Sequence, residues 1–373
     1  MAKKAKETKA GRVSMQDLMN LVNKKAGRHV AHDLTGENPT EVKEWISTGS
    51  RWLDSIVCKG QVAGIPVGKV SELAGLTSTG KSYMAAQIAA NAQKQGKIVV
   101  YFDSESAIDP DFLERAGCDL GRLMYIQATS VEFVLETIEE LLGASEDQLL
   151  FIWDSLAFTP SVSDVEGDFN PQSSMAVKAR ILAKGMSKLV IPIADKQATL
   201  LVLNQLKTNI PSGPNARIIA MTTPYMTPGG KALHYSYSLR IWLTGRKAKT
   251  AFVEDEKGFR IGSEVKAKIE KSRFGTQGRN CAFRILWGTE DVGINDEESW
   301  FDAVKSSEYL KSAGSWYTLE MPDGYTKKFQ PSRWAEVIKT DEEFRAKIVQ
   351  LMDEEVVQKF DKRVGKAEDF YTE

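Results

Sequence analysis

Apolar positions along this chain change their spacing several times, and each change predicts an element. Near the start, Met15, Leu18, Met19 and Val22 fall at i, i+3, i+4 and i+7, which gives one apolar face of a helix. Ser14 before it and Asp17 after it have the spacing of a capping box. Between residues 46 and 290, short apolar runs at 98–102, 149–153, 200–203 and 239–243, with a further strand-like segment at 70–74, are separated by longer stretches of helical spacing. Short continuous apolar runs read as strands buried on both faces, as in a parallel sheet covered by helices. A helix follows the phosphate-loop region at 82–90, and Val131, Val134, Leu135, Ile138, Leu141 and Leu142 mark the core-facing stripe of another. A third has Ile181, Leu182, Met186 and Leu189 on one side and Arg180, Lys184 and Lys188 on the other. Beyond residue 288 the segments are shorter, more charged and rich in tryptophan, which predicts a small α+β domain ending in a helix near 342–360. The expected fold class is α/β with a central, mainly parallel sheet. The expected divisions are an N-terminal helical extension (1–45), a core (46–290) and a small C-terminal domain (291–373).

Composition adds limits rather than direction. With 373 residues the chain can bury a sizeable core, and 49 Lys+Arg against 50 Asp+Glu leave any nucleic-acid affinity to local charge. Residues 1–12 carry Lys3, Lys4, Lys6, Lys9 and Arg12 against Glu7, whose ordinary reading is a solvated tail. The cysteines (Cys58, Cys118, Cys281) are widely spaced, which suits a reduced compartment. The scattered histidines give no zinc pattern. No apolar run approaches the ~18 residues that span a bilayer, and no signal peptide is evident, so a soluble intracellular protein without a membrane partner is expected.

Gly75-Leu76-Thr77-Ser78-Thr79-Gly80-Lys81-Ser82 fits G-x-x-x-x-G-K-[ST] at every specified position. Its glycines let backbone N–H groups turn inward onto phosphate oxygens. Lys81 adds a charge for the β- and γ-phosphates, and Ser82 offers a hydroxyl to Mg²⁺. The strand before it and the helix after it argue against a chance glycine-rich turn, so ATP with Mg²⁺ is the expected cofactor. The apolar run 149–153 ends in Asp154, a carboxylate placed to hold the metal. Glu105 follows the run 98–102 and is the candidate for activating water; a solvated loop acid is the plainer alternative. Asn204 and Gln205 end the run 200–203, where a neutral amide could report on a γ-phosphate or be an ordinary strand-end polar pair. The Arg180/Lys184/Lys188 stripe is most simply a solvated face, and alternatively a phosphate-contacting ridge.

Taken together, these residues resemble the RecA-type recombinases, including the phage UvsX branch. The matching pieces run in order: Ile46-Ser47-Thr48-Gly49-Ser50 with Leu53-Asp54, the phosphate loop, Asp103-Ser104-Glu105, Ala107-Ile108-Asp109-Pro110, Asp154-Ser155, Asn204-Gln205 and Gly229-Gly230-Lys231-Ala232-Leu233. Glu270-Lys271-Ser272-Arg273 looks more like the phage branch, and Gly314-Ser315-Trp316-Tyr317 is similar to a family motif further on. The resemblance implies a RecA-type P-loop ATPase core and a DNA-dependent ATPase that forms head-to-tail helical filaments on single-stranded DNA and exchanges strands with double-stranded DNA. It implies that Glu105 activates water, that Phe112 stacks on adenine with Asp109 near the exocyclic amine and Trp287 beside them, and that Gln205 links the γ-phosphate to a DNA-binding loop. Lys271 and Arg273 would reach across a filament interface; the family commonly has two lysines there, and arginine changes the donor geometry. Two DNA loops match about 161–174 and 206–228, with Arg180 and Lys188 as further basic contacts. In the second loop Lys207, Arg217, Met221 and Tyr225, with Gly229 and Gly230 at its end, are the expected DNA-binding residues; basic and apolar groups together suit a loop that neutralises phosphates and wedges between bases. Single-strand-binding and mediator proteins are expected partners, in the cytoplasm of a bacterial or phage-infected cell. A low-turnover mediator and a ring-forming helicase or ATPase of the same fold are the rival readings.

Overall fold

The apolar runs become strands, each one to three residues longer than its run. In a computed structural model of the chain, which describes residues 13–33, 40–167, 176–245, 251–288 and 292–359, two compact units form: Met1–Lys43 and Glu44–Glu373. The basic tail 1–12, positions 168–174 of the first expected loop and Phe360 lie outside the described residues.

In the first unit, Met15–Ala26 is helix α1. Its capping box is present as expected: the Asp17 N–H donates to Ser14 Oγ at 3.1 Å and the Ser14 N–H to Asp17 at 3.2 Å. Gly27, at φ +66°, ends it in the left-handed conformation that favours glycine. No residue of α1 is buried.

The second unit is built on one sheet. Its parallel part contains β1 (Val70–Gly75), β2 (Ile98–Asp103), β3 (Leu123–Gln127), β4 (Leu149–Asp154), β5 (Thr199–Gln205) and β6 (Leu239–Gly245). Antiparallel strands extend it: β7 (Phe252–Glu254), β8 (Arg260–Ser272), β9 (Asn280–Leu286) and β10 (Gly293–Asn295). The order is β10-β9-β8-β6-β1-β5-β4-β2-β3, with β7 paired to β8. The antiparallel strands and the edge strand β3 were not among the expected runs. In β8 the buried Val265, Ala267 and Ile269 alternate with exposed Lys266 and Lys268, so no continuous apolar stretch marks it.

Helices cover both faces: α2 (Arg51–Val57), α3 (Lys81–Lys94), α4 (Pro110–Arg115), α5 (Val131–Ala144), α6 (Val162–Glu166), α7 (Val177–Asp195), α8 (Ala216–Thr222) and α9 (Lys231–Ser236). Alternate strand residues separate into two cores, as a period of two requires. Val100, Phe102, Phe151, Trp153, Leu200 and Val202 pack with α5 and α7, whereas Val99, Tyr101, Leu150, Ile152, Leu201 and Leu203 pack with Met84 and Ile88 of α3. That second core runs on into the C-terminal segment. There α10 (Trp300–Val304), a three-stranded antiparallel sheet (β11 Leu310–Ala313, β12 Trp316–Glu320, β13 Thr326–Phe329), α11 (Trp334–Thr340) and α12 (Glu342–Leu351) gather around Phe329, Trp334 and Phe344. After α12 the chain makes a π-helical turn, Met352–Val356, so the last helix stops short of the expected 360. No described helix is long and apolar enough to cross a membrane.

Candidate active site and nucleic-acid interface

The carboxyl end of β1 turns directly into α3, which begins at Lys81. Gly80 caps α3 at φ +80°, and a Cβ there would lie 2.3 Å from Ile285 Cδ1, so both backbone and packing demand glycine. No side chain caps this end, which leaves the first-turn N–H groups for an anion. Lys81 Nζ donates to the Leu76 carbonyl at 3.1 Å. Burial lowers its pKa, opposed by Asp154 and Glu105.

Asp154 ends β4 and accepts from Ser82 Oγ at 3.1 Å and from Tyr101 Oη at 2.8 Å. Burial raises its pKa; a cation beside it would restore the charged form. Among the described residues no cluster of three His, Cys, Asp or Glu could hold a metal by itself. One carboxylate and one hydroxyl fit Mg²⁺ shared with nucleotide phosphates, since that ion keeps waters and takes few protein ligands.

Glu105 stands at the end of β2, where Asp103 is in register with Asp154. Asp103 organises the turn: it accepts the N–H groups of Glu105 (2.9 Å), Ala107 (3.0 Å) and Ile108 (3.3 Å), and Tyr125 Oη at 3.1 Å. Ser155 Oγ donates to Glu105 Oε1 at 2.8 Å. Gln205, at the end of β5, pairs in register with Gly75, and the Leu206 N–H donates to the Gly75 carbonyl at 3.0 Å. Glu105, Asp154, Gln205 and the phosphate loop therefore meet at the carboxyl ends of the parallel strands, where open α/β sheets bind ligands.

A cleft of about 480 Å³ opens here, lined by residues 78–83, Arg260 and Trp287. Tyr83 bridges the two expected base-contacting rings, with centroids 4.5 Å from Phe112 and 6.2 Å from Trp287. Phe112 is presented by α4, whose N-cap is Asp109 accepting the Asp111 N–H at 3.0 Å. Sequence reasoning passed over Tyr83 because a ring after the loop serine looks like core, and over Arg260 because nothing local marks it.

Lys271 and Arg273 stand elsewhere. Lys271 is in register with Arg240, three residues before Leu243, the partner of Gly75. That puts the pair about 10 Å or more along the sheet from their own phosphate loop. Lys271 Nζ donates to the His234 carbonyl at 2.7 Å, and Arg273 Nη2 to the Tyr235 carbonyl at 2.8 Å.

The segment 206–228 is more ordered than a featureless loop. Lys207–Thr208 pairs with Tyr225–Met226, and α8 lies between them. Ala216, Arg217, Ala220 and Met221 are good helix formers and favour the helix. Lys207, Arg217 and Met221 are exposed (Met221 76%) and Tyr225 is half-buried. Ile210, Ile218 and Ile219 add exposed apolar surface. In the first expected loop, Ser161 and Asp164 cap the short α6. Gly229 closes the second segment at φ +110°, where a Cβ would lie 2.5 Å from Leu233, and Gly230 follows at φ +83°. Of the α7 stripe, Arg180, Lys184 and Lys188 are all exposed, but Lys188 forms an ion pair with Glu139 at 2.6 Å.

A buried polar chain joins the ends of this segment. Asn204 Nδ2 donates to Glu72 (3.1 Å) and to the Pro228 carbonyl (3.0 Å); Arg240 donates to Glu72 (2.6 Å) and to Thr227 Oγ1 (2.9 Å), which bonds His234 Nε2 at 3.0 Å. Burial, with Arg240 and Lys271 nearby, pushes the His234 pKa down to about 4. Only Asn204 of this chain drew notice from the sequence.

The family model described as the RecA N-terminal domain matches residues 13–294. Among relatives, Protein RecA of Colwellia psychrerythraea is 30% identical over 283 residues, 76% of each chain. Protein RecA of Fusobacterium nucleatum is 32% identical over 308 residues, covering 82% of this chain and 75% of that one. Protein RecA of Leptospira biflexa is 28% identical over 313 residues, covering 84% and 76%. With the phosphate loop, Asp154, Glu105 and Gln205 gathered at one end of the sheet, this chain belongs to the RecA family.

Proposed function

We propose that this chain is an ATP-dependent homologous recombinase whose protomers polymerise on single-stranded DNA and pair it with a homologous duplex. The observation that carries this reading is the split of the site. Glu105, Asp154, Gln205 and the phosphate loop stand together, while Lys271 and Arg273 lie toward the other end of the same sheet. A head-to-tail contact would bring one protomer's cations to its neighbour's phosphates, and such a contact does not close on itself but builds a helical filament.

ATP with Mg²⁺ supplies the γ-phosphoryl group whose presence and loss set the filament's state. The first-turn N–H groups of α3 and Lys81 bind the phosphates, while Ser82 and Asp154 fit the ion. Glu105, aimed by the Asp103 turn and Ser155, takes a proton from the attacking water. Gln205 senses the γ-phosphate in cis, and Lys271 and Arg273 reach it in trans. The base lies toward Tyr83, Phe112 and Trp287, with Asp109 close by. The segment beginning at Leu206 binds DNA through Lys207, Arg217, Met221 and Tyr225, with Gly229 and Gly230 as its hinge and Arg180 and Lys188 as flanking contacts. Residues 1–45 serve assembly, 46–290 catalysis and DNA binding, and 291–373 form an accessory C-terminal part. Kinship with the phage UvsX branch, cytoplasmic action, and exchange with single-strand-binding and mediator proteins belong to the same reading.

The test is steady-state ATP turnover with and without single-stranded DNA, with electron microscopy of the same samples. We expect turnover stimulated by DNA and helical filaments; closed rings, or turnover indifferent to DNA, would favour the ring-forming ATPase instead.

A further inference from the structure

The cleft beside the phosphate loop contains a cation that the functional reading leaves without a task. Arg260 opens β8, and its place is fixed by the backbone: the N–H groups of Trp287 and Gly288 both donate to the Ile261 carbonyl, at 2.9 and 3.1 Å. Arg260 and Trp287 are thereby held side by side at the rim. The guanidinium lies over two rings, with its Cζ 3.9 Å from the Phe252 centroid and 5.2 Å from that of Trp287. Stacking of this kind fixes the plane of the fork without using its N–H groups. Nε makes a 3.3 Å bond to the Gly262 carbonyl, and among the described residues no carboxylate pairs with the side chain. The terminal NH₂ groups therefore remain for a ligand, in a cleft whose opposite wall is residues 78–83.

Geometry and charge agree on what that ligand offers. An arginine donates only, so it needs an acceptor, and it is best matched by phosphate oxygens or by a ring nitrogen of a purine. Both belong to a nucleotide lying from the α3 N-terminus to the Tyr83, Phe112 and Trp287 rings. We propose that Arg260 is a nucleotide-binding residue of its own protomer, donating to acceptor atoms of ATP and ADP while stacked between Phe252 and Trp287. This rests on the reading of the phosphate loop as an ATP site. It gives the free protomer a second cis cation besides Lys81, so nucleotide is held before any neighbour contributes Lys271 and Arg273.

The experiment is equilibrium binding of ADP, of a non-hydrolysable ATP analogue and of adenosine to the full chain without DNA, by calorimetry or by competition. Wild type is compared with Arg260→Ala, Arg260→Lys and Lys81→Ala, and the fold of each variant is checked by its thermal unfolding. Loss of a charge-assisted contact predicts ADP binding about tenfold weaker in R260A. R260K, which keeps the charge but not the planar fork, should fall between R260A and wild type. If adenosine competes unchanged against R260A while ADP weakens, the acceptors are phosphate oxygens; if both weaken, they lie on the base. Either result supports the proposal, whereas wild-type affinity for all three ligands in R260A overturns it. K81A separates the two levels: if it binds ADP as well as wild type does, the ATP-site reading itself has failed.

Discussion

Glu105 illustrates how much surrounding chemistry one side chain needs. Its backbone is anchored by the Asp103 carboxylate and its own carboxylate by Ser155 Oγ, so two residues with no reaction of their own decide where it points. Glu105→Gln keeps the shape and an acceptor for Ser155 but cannot take a proton. It should lower ATP turnover by 10² or more, the usual worth of a general base, while nucleotide and DNA affinities stay within a factor of about two to three. Turnover and equilibrium binding on the same preparation check this. A variant that no longer binds ATP would make Glu105 a structural residue. The sequence marked Glu105 by its place after an apolar run, but it could not reveal Asp103 as the organiser of the turn. An aspartate ending a strand is ambiguous until its partners are known, and three of these are backbone N–H groups.

Elements matter through how their ends are tied. Helix α9 is joined to β5 by the chain through Thr227, Arg240, Glu72 and Asn204, and its last carbonyls hold Lys271 and Arg273. Strand β5, the end of the 206–228 segment, and Lys271 with Arg273 thus share one short helix. His234 gives this junction a pH signature. Its folded pKa is pushed down to about 4, below the unfolded value of 6.5. The neutral ring's contribution to stability is therefore full above pH 6.5 and is lost as pH falls towards 4, because the unfolded chain binds the proton first. For a ring that is only half-buried, this amounts to about 1–2 kcal/mol after allowing for solvent screening. Thermal unfolding measured from pH 7 to 4 should show a shallower loss of stability in His234→Gln than in wild type; parallel curves would remove His234 from the junction. The parallel strands other than β3, and the helices α3, α5 and α7, were legible because their apolar residues follow a fixed period; β3 is an edge strand that buries none of its residues. The antiparallel strands β8 and β9 were not, since polar residues alternating with apolar ones look like surface until their partner strands are placed. The chain Glu72–Arg240 was invisible for a related reason: its members lie far apart in sequence, and only the pairing of β6 with β1 makes them neighbours.

For the whole molecule, the proposed assembly divides labour between its two units. The unit Glu44–Glu373 contains the cleft beside the phosphate loop, the proposed DNA segment, and Lys271 and Arg273. The unit Met1–Lys43 offers a helix with exposed apolar residues: Met15 is 73% exposed, Leu18 48%, Leu21 67% and Val22 47%. A well-capped helix that buries none of its residues gains little stability by itself, because short helices depend on packing of their apolar face. In the proposed head-to-tail assembly, this apolar face docks on a second copy of the chain. Replacing Leu18 and Val22 together with Asp should leave nucleotide affinity and thermal unfolding of the remainder unchanged, because neither residue is buried. The same change should abolish filaments under the electron microscope and return DNA-stimulated turnover to the DNA-free rate, since a lone protomer never receives its neighbour's Lys271 and Arg273. Affinity for single-stranded DNA should fall in parallel and keep a smaller dependence on salt, as one protomer neutralises fewer phosphates than a polymer does. If the double variant still forms filaments with wild-type turnover, the docking surface must be sought within Glu44–Glu373 instead, and the exposed face of α1 would then need another occupant.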